Sequence, residues 1–210
     1  MEIEYFGANT LRLSTKTTSF IVDDTLINQG KKSITKSDSV SLQTDKSILV
    51  VEGARLLLNA PGEFEVGEVS VKATAVRGHR DEANERTATI FQLQTADGTV
   101  VVIGHVHPDV TDAQVEQIGH ADVLIVPVGG HGFTLDPEGA LKVIKKLSPS
   151  VVIPTYYEVT GINTEMPQLK LEDALTQLAL PADEPVVSLK LKGTDFTSDQ
   201  TKVVVLTPKS

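Results

Sequence analysis

Apolar and polar residues alternate from the first positions of the chain. Ile3 and Tyr5, then Leu11 and Leu13, then Phe20 and Val22 recur with a period of two, and Gly7 and Asn9 separate the first two runs. A period of two puts successive side chains on opposite faces of an extended backbone, so these runs predict strands joined by short turns. The strand signal continues over 39–42, 47–51 and 55–58, while the polar stretch 30–38 predicts a loop. Two further strands are expected over 63–66 and 69–76 with Gly67 at their turn, and two more over 89–93 and 100–103. The last pair flanks Ala96-Asp97-Gly98, where Asp-Gly supplies the positive φ that a tight hairpin requires.

Beyond residue 110 the grammar changes to an alternation of strand and helix. Thr111 followed by Gln114 forms a capping-box pattern that opens a helix through about residue 118, and Gly119 is placed to end it. Residues 121–128 predict a buried strand. Asp136-Pro137 offers an N-cap and a proline at the first helical position, after which Ala140, Leu141, Ile144 and Leu147 make one apolar face. Lys142, Lys145 and Lys146 lie toward the end where the helix dipole favours cations, before Ser148-Pro149 stops the helix. A strand over 151–157 follows, then a helix presenting Leu171, Ala174, Leu175 and Leu178 that Pro181 terminates, then strands over 186–191 and 202–206. Strands first and alternation second predict two sheets packed together with helices outside. No repeat or linker divides the 210 residues, so a single domain over 1–210 is expected.

Composition narrows the function. Hydrophobic residues make up 40% and charged residues 22%, enough for a sizeable core, which the 4% aromatic content leaves to Val, Ile, Leu and Ala. The formal net charge of −9 repels phosphate backbones, so no nucleic-acid partner is expected. With no cysteine there is no disulfide framework, no thiolate metal site and no cysteine nucleophile. Met1-Glu2-Ile3-Glu4-Tyr5 enters the strand pattern without a basic or apolar leader, and no apolar run approaches the roughly 18 residues of a membrane span. The expectation is a cytoplasmic protein with no membrane contact.

Five blocks, in order, carry a family resemblance. They are Met1-Glu2-Ile3-Glu4-Tyr5-Phe6-Gly7, Phe20-Ile21-Val22-Asp23, Ala60-Pro61-Gly62-Glu63-Phe64-Glu65-Val66, Val123-Leu124-Ile125-Val126 running into Pro127-Val128-Gly129-Gly130, and Val152-Ile153-Pro154. Together they resemble the metallo-β-lactamase superfamily over roughly residues 1 to 160, in the branch of zinc-dependent hydrolases similar to L-ascorbate-6-phosphate lactonase. The resemblance implies an α/β fold of αββα type, two mixed β-sheets packed as a sandwich with helices on the outer faces. It also implies a hydrolase with two metal ions, held by a His-x-His-x-Asp-His loop, two further His and a bridging Asp. Such ligands leave a coordination position open for an activated water.

The chain departs from that pattern at its centre. Its first histidine is His79, and the segment after 39–42 puts Thr44, Asp45, Lys46 and Ser47 where the first ligands belong. His79 matches the third ligand segment, His105 stands where the bridging Asp is expected, and Tyr156 stands where the last His is expected. The expectation is that the usual dinuclear zinc site is largely lost, leaving either no cofactor or one zinc-like divalent metal.

Two functional readings follow. In the first, the fold persists as a non-catalytic binding or interaction protein for an unidentified small molecule or protein, with a homo-oligomer as one option. In the second, a metal-dependent hydrolase of a phosphoester or lactone has a rebuilt site. There His105-Val106-His107 leaves a strand with both rings on one face while the extension persists, His79 lies nearby and Asp109 follows. His79, His105 and His107 are then the candidate metal ligands, with Tyr156, as an oxyanion donor, and Asp45 the candidate catalytic residues.

Three weaker signals have bland counterparts. Gly129-Gly130-His131-Gly132 can cradle an anion on backbone amides, or simply supply turn conformations. Arg77, Arg80 and Arg86 can grip a phosphate or carboxylate, or lie in a solvated loop with Asp81, Glu82 and Glu85. His120 sits at a helix end, where a dipole contact explains it.

Overall fold

Strand pairing sorts the chain into two mixed sheets. The computed structural model describes residues 1–209 apart from 165, 194, 195 and 197–199. In the first sheet, β1 (Glu2–Gly7), β2 (Thr10–Ser14) and β3 (Ser19–Val22) form an antiparallel meander. β4 (Val40–Leu42) and β5 (Leu56–Leu58) extend it in parallel, and β12 (Leu189–Lys190) pairs outside β1. The second sheet begins with the antiparallel series β6 (Gly62–Val66), β7 (Val69–Val76), β8 (Ala88–Thr95) and β9 (Gly98–Val102). It continues in parallel through β10 (Val123–Pro127), β11 (Val151–Thr155) and β13 (Lys202–Val203).

The alternation seen in the sequence becomes the core. Ile3, Tyr5, Leu11, Leu13, Phe20 and Val22 of the first sheet join Val71, Phe91, Leu93 and Val101 of the second in one buried apolar cluster. β10 is buried at every position, which accounts for its unbroken apolar run. Helix α1 (Asp112–Ile118) lies against β7 and β8, α2 (Pro137–Leu147) against β10, and α3 (Leu171–Leu178) against α2.

The start and stop signals act as their chemistry dictates. The Thr111 side chain accepts the Gln114 N–H while Gln114 answers the Thr111 N–H, completing the capping box. Asp136 accepts the Gly139 N–H at 2.7 Å ahead of Pro137. In the β8–β9 hairpin Thr95 pairs with Gly98, whose φ is 140°.

The strands expected over 186–191 and 202–206 shorten to β12 and β13, two further expectations are corrected and one element is new. Residues 47–51 are not a strand, because the Asp45 carboxylate accepts both the N–H and the hydroxyl of Ser47, at 2.7 and 2.6 Å, and curls the chain into a turn. Leu49 is left 81% exposed. Leu26–Gln29 forms a 3₁₀ turn closed by Gly30 at φ 73°, an element the pattern did not announce. Finally, β11 stops at Thr155, since Tyr156 takes the left-handed conformation at φ 57°.

Candidate functional site

The carboxyl ends of the parallel strands point to one end of the sandwich. There the segments after β3, β4, β9, β10 and β11 gather with the β1–β2 turn and the segment after β7 around a cleft of about 310 Å³. This is where open α/β sheets place ligands. The first sheet contributes Ala8, Asn9, Asp23, Asn28, Gln29, Ile48 and Leu49; the segments of the second contribute Arg80, His105, Phe133 and Tyr156.

The cleft floor is a hydrogen-bonded chain linking the sheets. Asp23 accepts the Thr44 N–H at 2.8 Å, the Thr44 hydroxyl at 2.6 Å and the Asn9 amide at 2.7 Å. Asn9 in turn accepts the Thr155 hydroxyl from the second sheet at 2.8 Å. Burial pushes the Asp23 carboxyl up to about 6 despite the donors from Thr44 and Asn9 that oppose the shift.

One wall is aromatic. His105 meets Phe133 and Tyr156 edge-on, each with ring centroids 4.7 Å apart, and Phe133 and Tyr156 stack at 19°. The Arg80 guanidinium lies over the Phe133 ring, 4.7 Å from its centre. Burial, then the nearby His79 and Arg80, pushes His105 down to about 3, so its ring is neutral at physiological pH. Among the described residues neither ring nitrogen of His105 has a hydrogen-bond partner, and Nδ1 is shut away from solvent. Ala8, Asp23 and Tyr156 all hold positive φ, so backbone strain of about 1–3 kcal/mol per residue is concentrated in the lining.

The sequence-predicted site residues are only partly brought together. Tyr156 and His105 line the cleft. Asp45 does not; its Oδ1 accepts both the N–H and the hydroxyl of Ser47. Of the three candidate histidines, His105 and His79 line different hollows. β9 ends at Val102, and the Val106 N–H turns back to the Gly104 carbonyl at 2.9 Å, which ends the extension that would align His105 with His107. His79 faces a separate hollow with Pro108 and Gly130, its Nδ1 lies 3.2 Å from the Val106 carbonyl, and its ring centre is 6.3 Å from that of His107. His107 pairs with Asp109 at 3.5 Å. Desolvation, then Arg77, lowers its pKa.

The glycine run serves as a turn. Gly130 and Gly132 hold φ 69° and 70°, the Gly130 N–H goes to the Leu135 carbonyl, and a Cβ on Gly129 would lie 2.0 Å from the Tyr156 carbonyl oxygen. Of the three arginines, Arg77 donates to the Asp81 carbonyl and Arg80 reaches the cleft. His120 pairs with Asp122 at 2.9 Å. Asn9 and Phe133, which shape the cleft, sit in polar or glycine-rich turns that carry no metal-ligand spacing, and sequence reasoning passed over them.

Residues 2–156 match the model of the Beta-lactamase superfamily domain. The chain belongs to the metallo-β-lactamase superfamily. A Thermoplasma acidophilum protein named as a metal-dependent hydrolase is 30% identical over 118 residues, which cover 52% of this chain and 50% of the relative. The match thus spans about half the length of that curated relative. Among solved structures, a Thermotoga maritima protein assigned to the metallo-β-lactamase superfamily superposes with a TM-score of 0.73 at 23% identity, covering 99% of this chain and 100% of its own. The metallo hydrolase Igni18 of Ignicoccus hospitalis superposes with a TM-score of 0.61 at 16% identity, covering 100% of this chain and 96% of its own. These two likenesses concern the fold.

Superfamily membership raises the question of metal ions, against which the donors lining this cleft can be set. Both Asp23 oxygens already accept hydrogen bonds, His105 is the cleft's one imidazole, and Arg80 adds a positive charge beside it. Among the described residues no group of three or more His, Asp or Glu side chains is disposed to hold a metal ion. Among the described residues, the side chains lining the cleft do not by themselves supply the ligands of a two-metal centre. No helix among the described residues is long and apolar enough to cross a membrane.

Proposed function

We propose that this superfamily member is a non-catalytic binding protein that uses the cleft between its sheets to hold a small molecule. The observation that carries this reading is the Thr155–Asn9–Asp23–Thr44 chain. It commits the cleft's carboxylate to protein donors and so removes it as a ligand or general base. The surrounding polar and aromatic lining supports recognition: a few placed polar groups over apolar surface is how small-molecule sites are built.

The likeness to the Thermoplasma acidophilum metal-dependent hydrolase favours a second reading, a hydrolase of a phosphoester or lactone using His79, His105 and His107. Against it stand the placing of His105 and His79 in different hollows and the cationic neighbour Arg80 of His105. Metal analysis of untagged protein purified from zinc-supplemented cells separates the two. We expect zinc far below one ion per chain. Stoichiometric zinc that disappears in His79→Ala or His105→Ala would overturn the non-catalytic reading.

A further inference from the structure

The cleft's polar groups have a bias that goes beyond binding in general. Among the described residues Arg80 and Asp23 are the formal charges in its lining, and they are differently placed. Asp23 is fully buried with both oxygens engaged, so its carboxylate is consumed within the protein. Arg80 is exposed at the mouth and, among the described residues, has neither an ion-pair nor a hydrogen-bond partner. Arg12, by contrast, is paired with Glu4, and Arg77 is spent on the Asp81 carbonyl. A guanidinium resting on an aromatic face is held in place while its in-plane N–H groups stay available for a bidentate oxyanion.

Two more lining groups carry unused capacity. His105 Nδ1 and Gln29 Oε1 are both buried without a hydrogen-bond partner, a state native proteins rarely leave unexplained. The apolar part of the lining is Phe133 with Ile48 and the 81% exposed Leu49, more apolar surface than a bare inorganic ion would cover. The volume of about 310 Å³ lies at the lower end of ligand sites, which suits one small organic molecule.

We propose that the cleft binds a small organic oxyanion, its carboxylate or phosphate paired with Arg80 and its flat apolar body resting against Phe133, Ile48 and Leu49. This deepens the reading of the chain as a binding protein and rests on it. Arg80 sets the charge of the ligand, and the aromatic and aliphatic lining sets its shape.

The test is a calorimetric and amide-NMR titration of untagged protein with benzoate and with phenyl phosphate, using benzamide and inorganic phosphate as controls. At least one aryl anion should bind saturably and perturb the amides of Arg80, His105 and Phe133, and the better of the two identifies the oxyanion. Its affinity should exceed that of benzamide and of inorganic phosphate by about tenfold or more, and should fall by a similar factor in Arg80→Met and in Phe133→Ala. Arg80 is exposed, so the first variant keeps the fold, and an unchanged melting temperature confirms this. Equal binding of benzamide, an unaltered affinity in Arg80→Met, or no saturation by either aryl anion up to about 10 mM overturns the proposal. Zinc content is measured on the same samples. Stoichiometric zinc refutes the non-catalytic reading whatever the anions do, whereas zinc-free protein that ignores both aryl anions refutes only the ligand class.

Discussion

Gly104 and Thr44 approach so closely that a Cβ on Gly104 would lie 1.8 Å from the Thr44 Oγ1 and 2.4 Å from its Cβ. The two residues come from different sheets, and the contact brings the segments after β9 and β4 together beneath the cleft. Thr44 cannot swing aside, since its hydroxyl and its N–H both donate to Asp23. Gly104→Ala must therefore separate the sheets locally or break the Asp23 network. A loss of about 3 kcal/mol is expected, at the upper end of overpacking costs. Chemical denaturation measures it, and a variant as stable as the parent would show that the contact yields.

Asp23 makes stability depend on pH in an unusual direction. Its carboxyl sits at about 6 when folded against an ordinary value of 3.8. The folded state therefore holds the proton more tightly than the unfolded chain. No penalty exists below about pH 4; it grows as the pH rises through the interval up to 6 and is complete above that. Its size is on the order of 3 kcal/mol. Measured against Asp23→Asn, which does not titrate, the wild type should lose stability between pH 4 and pH 7 by about that amount. A constant difference across the range would mean that Asp23 ionises normally.

His105 acts with the opposite sign. Folded, it sits at about 3 against an ordinary 6.5, so the unfolded chain takes up the proton first. The stability due to the neutral ring is fully present above pH 6.5 and drains away as the pH falls toward 3, by on the order of 5 kcal/mol in all. Acid unfolding of the wild type should therefore be steeper than that of His105→Leu, and imidazole NMR should find no titration of His105 in the folded protein between pH 5 and 8. A ring that titrates near 6.5 would mean that water or a charge reaches it.

Periodicity carried the architecture further than it carried the site. The strands with clean alternation and the helices with named caps formed where expected, because burial on one face and backbone capping are local demands written in adjacent residues. Residues 47–51 failed because the Ser47 N–H and hydroxyl found Asp45, a side-chain competitor that an apolar run does not disclose. The condition for aligning His105 with His107 is not met for a similar reason: spacing of two aligns side chains only while the strand lasts, and β9 ends at Val102. Tyr156 and His105 were legible as cleft residues through their positions in the superfamily pattern. Phe133 and Asn9 were not, since only the convergence of separate loops gives them neighbours worth naming.

Zinc should leave the folding equilibrium nearly untouched. A ligand that binds only the folded state at 100 times its dissociation constant stabilises by about 2.7 kcal/mol. For a chain of this length that is a rise of several degrees in melting temperature, on a scale of about 2–4 °C per kcal/mol. His79 and His107 have ring centres 6.3 Å apart, and Asp109 lies 3.5 Å from His107, yet among the described residues no group of three or more His, Asp or Glu side chains is disposed to hold a metal ion, and His105 is engaged edge-on by Phe133 and Tyr156 on the cleft wall. Two imidazoles bind zinc weakly, and the adjacent Arg77 and Arg80 charges repel it further. Melting curves with equimolar zinc and with a chelator should therefore coincide within about 1 °C. A zinc-dependent rise of several degrees, abolished in His107→Ala, would mean that the loop carrying His107 can close onto His79 and that the two rings recruit the ligands that the static arrangement withholds.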